Sequence, residues 1–154
     1  MIETGLCFRQ AKPGDLRGVL TLLANDQLGQ TREATGADVP KVYQDAFRAI
    51  EEDPNHLLMV VEDGAALIGT FQLSFIPGLA RRGAWRGQIE AVRVADSHRG
   101  RGIGHQMMEW AIETCRARGC ALVQLTSDKT RDDAQRFYTD LGFAASHEGY
   151  KLIL

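Results

Sequence analysis

The chain has 154 residues, 44% of them hydrophobic and 25% charged, a balance that fits one ordinary globular domain over 1–154. A formal charge of -2 argues against any general attraction to nucleic acid or to an anionic membrane. Three cysteines without a CxxC pair, and no basic then apolar leader at Met1–Gly5, point to reduced thiols in a cytoplasmic protein.

Leu6 to Gln10 reads as a first strand, broken by Pro13-Gly14-Asp15. Leu16, Val19, Leu20 and Leu23 then recur at helical spacing and make one apolar face. A polar segment from Asn25 to Gly36 follows. Asp38 is placed to cap a second helix, with Pro40 in its first turn and Val39, Tyr43, Ala46, Phe47 and Ile50 on its buried face. Leu57 to Glu62 and Ala65 to Phe75, joined by Asp63-Gly64, predict a hairpin. Leu57 to Val61 is also the longest strongly apolar run, far too short to span a bilayer. Ala80 to Gly83 reads as a basic loop.

Trp85 to Val94 predicts a long strand and Gly102 to Arg118 a helix with Ile103, Met107, Trp110, Ala111 and Cys115 inward. Ala121 to Thr126 is the next strand. Thr130 to Asp133 has the form of a capping box opening a helix that runs to Leu141-Gly142, and Tyr150 to Leu154 predicts a last strand. Strands in hairpins plus one helical crossover imply a mixed sheet with helices on both faces.

The chemistry concentrates where strand Ile89 to Val94 leads through Arg99-Gly100-Arg101-Gly102-Ile103-Gly104 into a helix. A helix start leaves backbone N–H groups unpaired and carries partial positive charge; glycines let an anion approach them, and arginine forks suit phosphate oxygens. These features together describe a pyrophosphate cradle. A dinucleotide GxGxxG needs glycine where His105 stands, and no Lys-Ser/Thr pair follows for a Walker loop. Four histidines and three cysteines show no metal-ligand spacing, so no metal is expected. Cys115, on an apolar helix face, reads as packing rather than as a nucleophile.

Arg99, Gly102 and Gly104 match the R/Q-x-x-G-x-G/A signature, and Ala134, Phe137, Tyr138, Gly142 and Phe143 match A-x-x-F-Y-x-x-x-G-F. In this order and separation they resemble the GNAT N-acetyltransferase superfamily. The resemblance implies an α/β (α+β) fold with a mixed, mostly antiparallel sheet of about six to seven strands flanked by about four helices. It implies acetyl-CoA as co-substrate, a small-molecule or peptide primary amine as acceptor, direct transfer without a covalent enzyme intermediate, and a homodimer. Val92, Arg93 and Val94 would meet the pantetheine, and Arg99, Gly100, Arg101, Gly102, Ile103 and Gly104 the pyrophosphate. Ser127, Arg131 and Phe137 would complete the coenzyme site. Arg131 stands where many relatives carry Asn, and it either reaches coenzyme phosphates or sits exposed.

An alkylamine with a pKa near ~10 must lose a proton before attack, and the departing thiolate gains from receiving one. By the resemblance Tyr138 is the acid. Glu90 is either the base or a carboxylate on the solvent face of the sheet. The segment Gln30 to Asp38 falls where such enzymes build the acceptor pocket, and the loop of Arg81, Arg82, Trp85 and Arg86 is most simply solvated. Two rivals stay open: a non-catalytic acyl-CoA-binding sensor, and an enzyme for a larger acyl group.

Overall fold

The computed structural model describes residues 5–26, 28–33 and 36–154. The opening Met1–Thr4 and part of the Gln30 to Asp38 segment lie outside the described residues. One five-stranded sheet has the order β1 (Leu6–Gln10), β2 (His56–Asp63), β3 (Ala66–Ile76), β4 (Arg86–Val94) and β5 (Leu122–Leu125). All neighbours are antiparallel except β4 and β5, which are parallel. The helices are α1 (Leu16–Ala24), the single turn α2 (Gly29–Arg32), α3 (Lys41–Glu52), the single turn α4 (Ala80–Gly83), α5 (Ile103–Ala117) and α6 (Asp132–Asp140).

The pattern of apolar residues decides which helix covers which face. Leu16, Val19 and Phe47 from α1 and α3 pack with Val60 on one side. Ile103, Met107, Met108, Ala111 and Cys115 of α5 pack with Met59, Val61, Phe71, Leu73 and Ile89 on the other. Adjacent Met59, Val60 and Val61 are all buried because both faces are covered, which explains an unbroken apolar run in an antiparallel strand. Each such side chain contributes roughly 1.5–3 kcal/mol by leaving water.

Strand β4 lies under α5 so closely that Gly87 is obligatory. A Cβ there would fall well inside contact distance of the buried Cys115 sulfur. Gly87→Ala is therefore expected to lower stability by about 1–3 kcal/mol in urea unfolding. Cys115→Ala in the same chain should recover part of that loss, and an unchanged midpoint for the single variant would contradict this packing.

Several sequence expectations need correction. The sheet has five strands, not six or seven. Tyr150 to Leu154 forms no strand and pairs with none of the described strands; Tyr150 is 92% and Leu152 85% exposed. The capping box does not form: the Thr130 hydroxyl donates to Asp128 Oδ1 at 2.6 Å, and Arg131 takes the cap position without a side-chain cap. Helix α3 likewise starts after Pro40 with no side-chain cap, so Asp38 does not serve it. The expected loop at Ala80 to Gly83 closes as a single tight turn with Arg81 and Arg82 at positive φ, outside right-handed helical geometry.

Candidate active site

Strands β4 and β5 pair only from Arg86–Leu122 to Ile89–Leu125. β4 then continues through Glu90–Val94 with β3 still bonded on one side and nothing of β5 on the other. The cause is local. The β3–β4 register shifts between Thr70 and Gln72, and Ala91 takes φ 54, a bulge that re-aims the strand. A non-glycine residue at positive φ is strained, which marks this point of the sheet as built for something other than pairing. The result is a gap in the pairing of the parallel strands beyond Ile89, where β4 runs on without a partner from β5.

Helix α5 follows β4 after the connection 95–102. Gly100 and Gly102 hold φ 75 and 76, a left-handed conformation that glycine alone takes without penalty. Gly102 is the N-cap and supplies no side chain, so no cap side chain covers the first-turn amides. A Cβ at either glycine would meet nothing within 4 Å, so the loop is open on its outer side. Ile103 is 1% exposed and pins the helix start into the core. At Gly104 an added Cβ would touch Phe137 at 3.5 Å, which is how α6 is docked against the start of α5.

The two candidate arginines of this loop differ in their surroundings. Arg99 is engaged by its own chain: Nη1 lies 2.9 Å from Asp96 Oδ1, and the fork also donates to the carbonyls of Val94 and Asn25 at 3.4 Å. These contacts brace the loop against the end of α1. Arg101 is exposed.

Tyr138 on α6 is half-buried, edge-on to Phe137 at 5.2 Å and Phe143 at 6.1 Å. Burial pushes its phenol up from the ordinary value, and the fields of Arg131 and Arg93 act against that rise. The phenol is thus protonated at neutral pH, as an acid must be. Glu90 is exposed, on the same face of β4 as Gln88. Val92 and Val94 are partly buried against the core. Ser127 is half-buried in the loop after β5. Neighbouring Asp128 turns onto Thr130, whose amide and hydroxyl it accepts, so it does not face the gap. Cys115 is buried and its thiol is pushed up to about 12, which confirms it as packing.

A cluster that sequence reasoning missed lies at the same place. Arg93, a candidate for the coenzyme, turns its guanidinium to Asp26 at the end of α1, Nη2 to Oδ2 2.9 Å. Arg131, at the exposed cap of α6, lies 4.0 Å from that same oxygen. Asp26 also accepts the Gly29 amide and its carboxyl is lowered: burial opposes this, while that amide and Arg93, Arg131 and Arg32 favour the charged form. Partners from three separate elements leave no trace in local spacing. Among the described residues no group of three or more His, Cys, Asp or Glu is placed to hold a metal.

The fold is a mixed sheet with one parallel pair, β4 and β5, and a glycine-lined helix start after β4. The acetyltransferase (GNAT) family model matches residues 22–143. The chain belongs to the GNAT acetyltransferase family, and with it to the N-acetyltransferase class of acyltransferases. It is 33% identical over 108 residues to the aminoalkylphosphonate N-acetyltransferase of Salmonella typhimurium, covering 70% of this chain and 69% of that one. A solved structure titled a transcriptional regulator from Bacillus halodurans C-125 is 46% identical, with TM-score 0.94 over 97% of this chain and 99% of that one. A putative acetyltransferase from Agrobacterium tumefaciens is 26% identical, with TM-score 0.83 over 96% and 99%.

Proposed function

We propose that this protein transfers an acetyl group from acetyl-CoA directly to the primary amine of a small molecule or peptide. The observation that carries the reading is the gap between β4 and β5, flanked by the glycine-lined start of α5 on one side and Tyr138 on the other. In this scheme the main chain at Val92 and Val94 pairs with the pantetheine and the amides from Gly100 to Gly104 hold the pyrophosphate. Amine nitrogen forms a bond to the thioester carbonyl carbon, the carbon–sulfur bond breaks, and Tyr138 donates to the leaving sulfur. Glu90, exposed on β4, takes the proton from the amine directly or through water. The name of the Salmonella relative, an aminoalkylphosphonate N-acetyltransferase, supports a small amine as acceptor. Three free cysteines support a reducing, cytoplasmic setting.

Release of free thiol from acetyl-CoA across a panel of primary amines tests this. Amine-dependent release supports transfer. The relative titled a transcriptional regulator favours one second reading, an acyl-CoA-binding sensor. Tight acetyl-CoA binding with no release for any amine would select that reading, and faster release from propionyl- or succinyl-CoA would select a larger acyl group.

We also infer a homodimer. β5 stands at the sheet edge with one side unpaired, and Tyr150, Leu152, Ile153 and Leu154 are all at least 85% exposed. Gly149 passes beside Thr126, just beyond β5, so this apolar segment leaves the domain next to the open edge. Exchange of the segment onto β5 of a second copy would close both edges with one twofold axis. Removing 150–154 is then expected to convert a dimer to a monomer in sedimentation; a full-length monomer would contradict it.

A further inference from the structure

The cluster beside Tyr138 holds more positive charge than its carboxylates answer. Arg93, Arg131 and Arg32 all act on Asp26, and Arg131 acts on Asp128 as well, so three guanidinium groups meet two acids and one charge is in surplus. Arg93 and Asp26 are each only 12% exposed at the side chain, and Arg93 Nε is buried without a hydrogen-bond partner. A buried guanidinium with an unmet donor is costly unless further negative charge arrives. Arg131, 42% exposed, is the member that opens to solvent. Its fork is suited to grip two oxygens of one tetrahedral anion, while Arg93 supplies charge from behind.

Position gives the surplus its meaning. The fields of Arg131 and Arg93 both reach the Tyr138 phenol, so the charge lies beside the group that serves the departing sulfur. The glycine loop has its own donors at the start of α5 and does not need these arginines. Asp26 follows α1, and Arg32 lies in α2, on the stretch that leads toward the expected acceptor pocket.

We propose that Arg131, backed by Arg93, binds a doubly negative phosphonate or phosphate group on the acceptor, which makes the preferred substrates short primary amines carrying a tetrahedral dianion. The proposal rests on the transfer reading above. Arg131 and Arg93 present two guanidinium groups to one dianion, and the amine of a short acceptor anchored there remains near Tyr138 and the thioester.

The test compares kcat/KM, by thiol release, for acceptors of equal chain length: an aminoalkylphosphonate, an aminoalkyl phosphate ester, an aminoalkylsulfonate and the plain alkylamine. The wild type is expected to prefer a dianion to the alkylamine by about 30-fold or more. The faster of the first two arms tells phosphonate from phosphate. Arg131→Gln, at a half-exposed site that folding tolerates, should shrink that preference about tenfold or more, mainly through KM. Arg131→Lys should restore part of it. Equal use of phosphonate, phosphate and alkylamine by the wild type, or a preference undiminished in Arg131→Gln, would overturn the assignment. If no amine is acetylated, the transfer reading falls and the site is judged by itself. Protein saturated with coenzyme A, its glycine loop filled, is then titrated with methylphosphonate. Binding that weakens about tenfold in Arg131→Gln upholds the anion site, and absent or unaltered binding overturns it.

Discussion

Gly102→Glu is expected to abolish acetyl-CoA binding, a loss of about 1000-fold or more in affinity, while the protein stays folded. Two effects add at this position. The backbone at Gly102 holds φ 76, which a residue with a Cβ adopts only under strain of about 1 kcal/mol. The carboxylate would also stand at the positive end of α5, where it would occupy the amides itself and repel the pyrophosphate. A Cβ at Gly102 meets no atom within 4 Å, so the fold has room for the change. Gly102→Ala separates the two effects, since it carries the strain without the charge; it should weaken binding about tenfold. Equal affinities for Gly102→Glu and wild type in calorimetry would mean that the anion does not sit at this helix start.

Tyr138→Phe is expected to lower turnover by about 100-fold or less and to leave acetyl-CoA affinity near the wild-type value. The bound on this effect follows from chemistry. A thiol with a pKa near ~8.5 is a stronger acid than the phenol, so Tyr138 stabilises the developing thiolate by a strong hydrogen bond rather than by complete transfer at equilibrium. Burial raises the phenol, and Arg131 and Arg93 hold that rise in check, which keeps it a usable donor. The sign for pH follows. The phenol is the active form below its pKa, so wild-type activity should fall on the alkaline side, at or above the ordinary phenol range, and the Phe variant should lack that limb. Turnover unchanged at every pH would remove Tyr138 from the chemistry.

The parts of the site visible in the sequence are those made by neighbours along the chain. Alternating glycines after a β-branched strand predict the start of α5, and the spacing from Ala134 to Phe143 predicts α6 with Tyr138, because both signals repeat within one or two helical turns. The gap itself depends on a bulge at Ala91, a residue that local propensity would not place at positive φ. The Asp26, Arg93 and Arg131 cluster was hidden because its members stand on a post-helix loop, a strand and a helix cap that only the fold brings together. Arg131 could be flagged only as a departure from the family's Asn. Two local signals misled. Thr130 to Asp133 has the spacing of a capping box, yet Asp128 competes for the Thr130 hydroxyl and wins. Tyr150 to Leu154 has strand composition, but a strand exists only where a neighbour bonds to it.

Calorimetric titration with acetyl-CoA, with coenzyme A and NAD as comparisons, tests the central claim most directly. The account predicts one micromolar site for acetyl-CoA, a similar one for coenzyme A and none for NAD. No binding of acetyl-CoA to the folded protein would contradict it, since the gap, the glycine loop and Tyr138 would then have no common ligand.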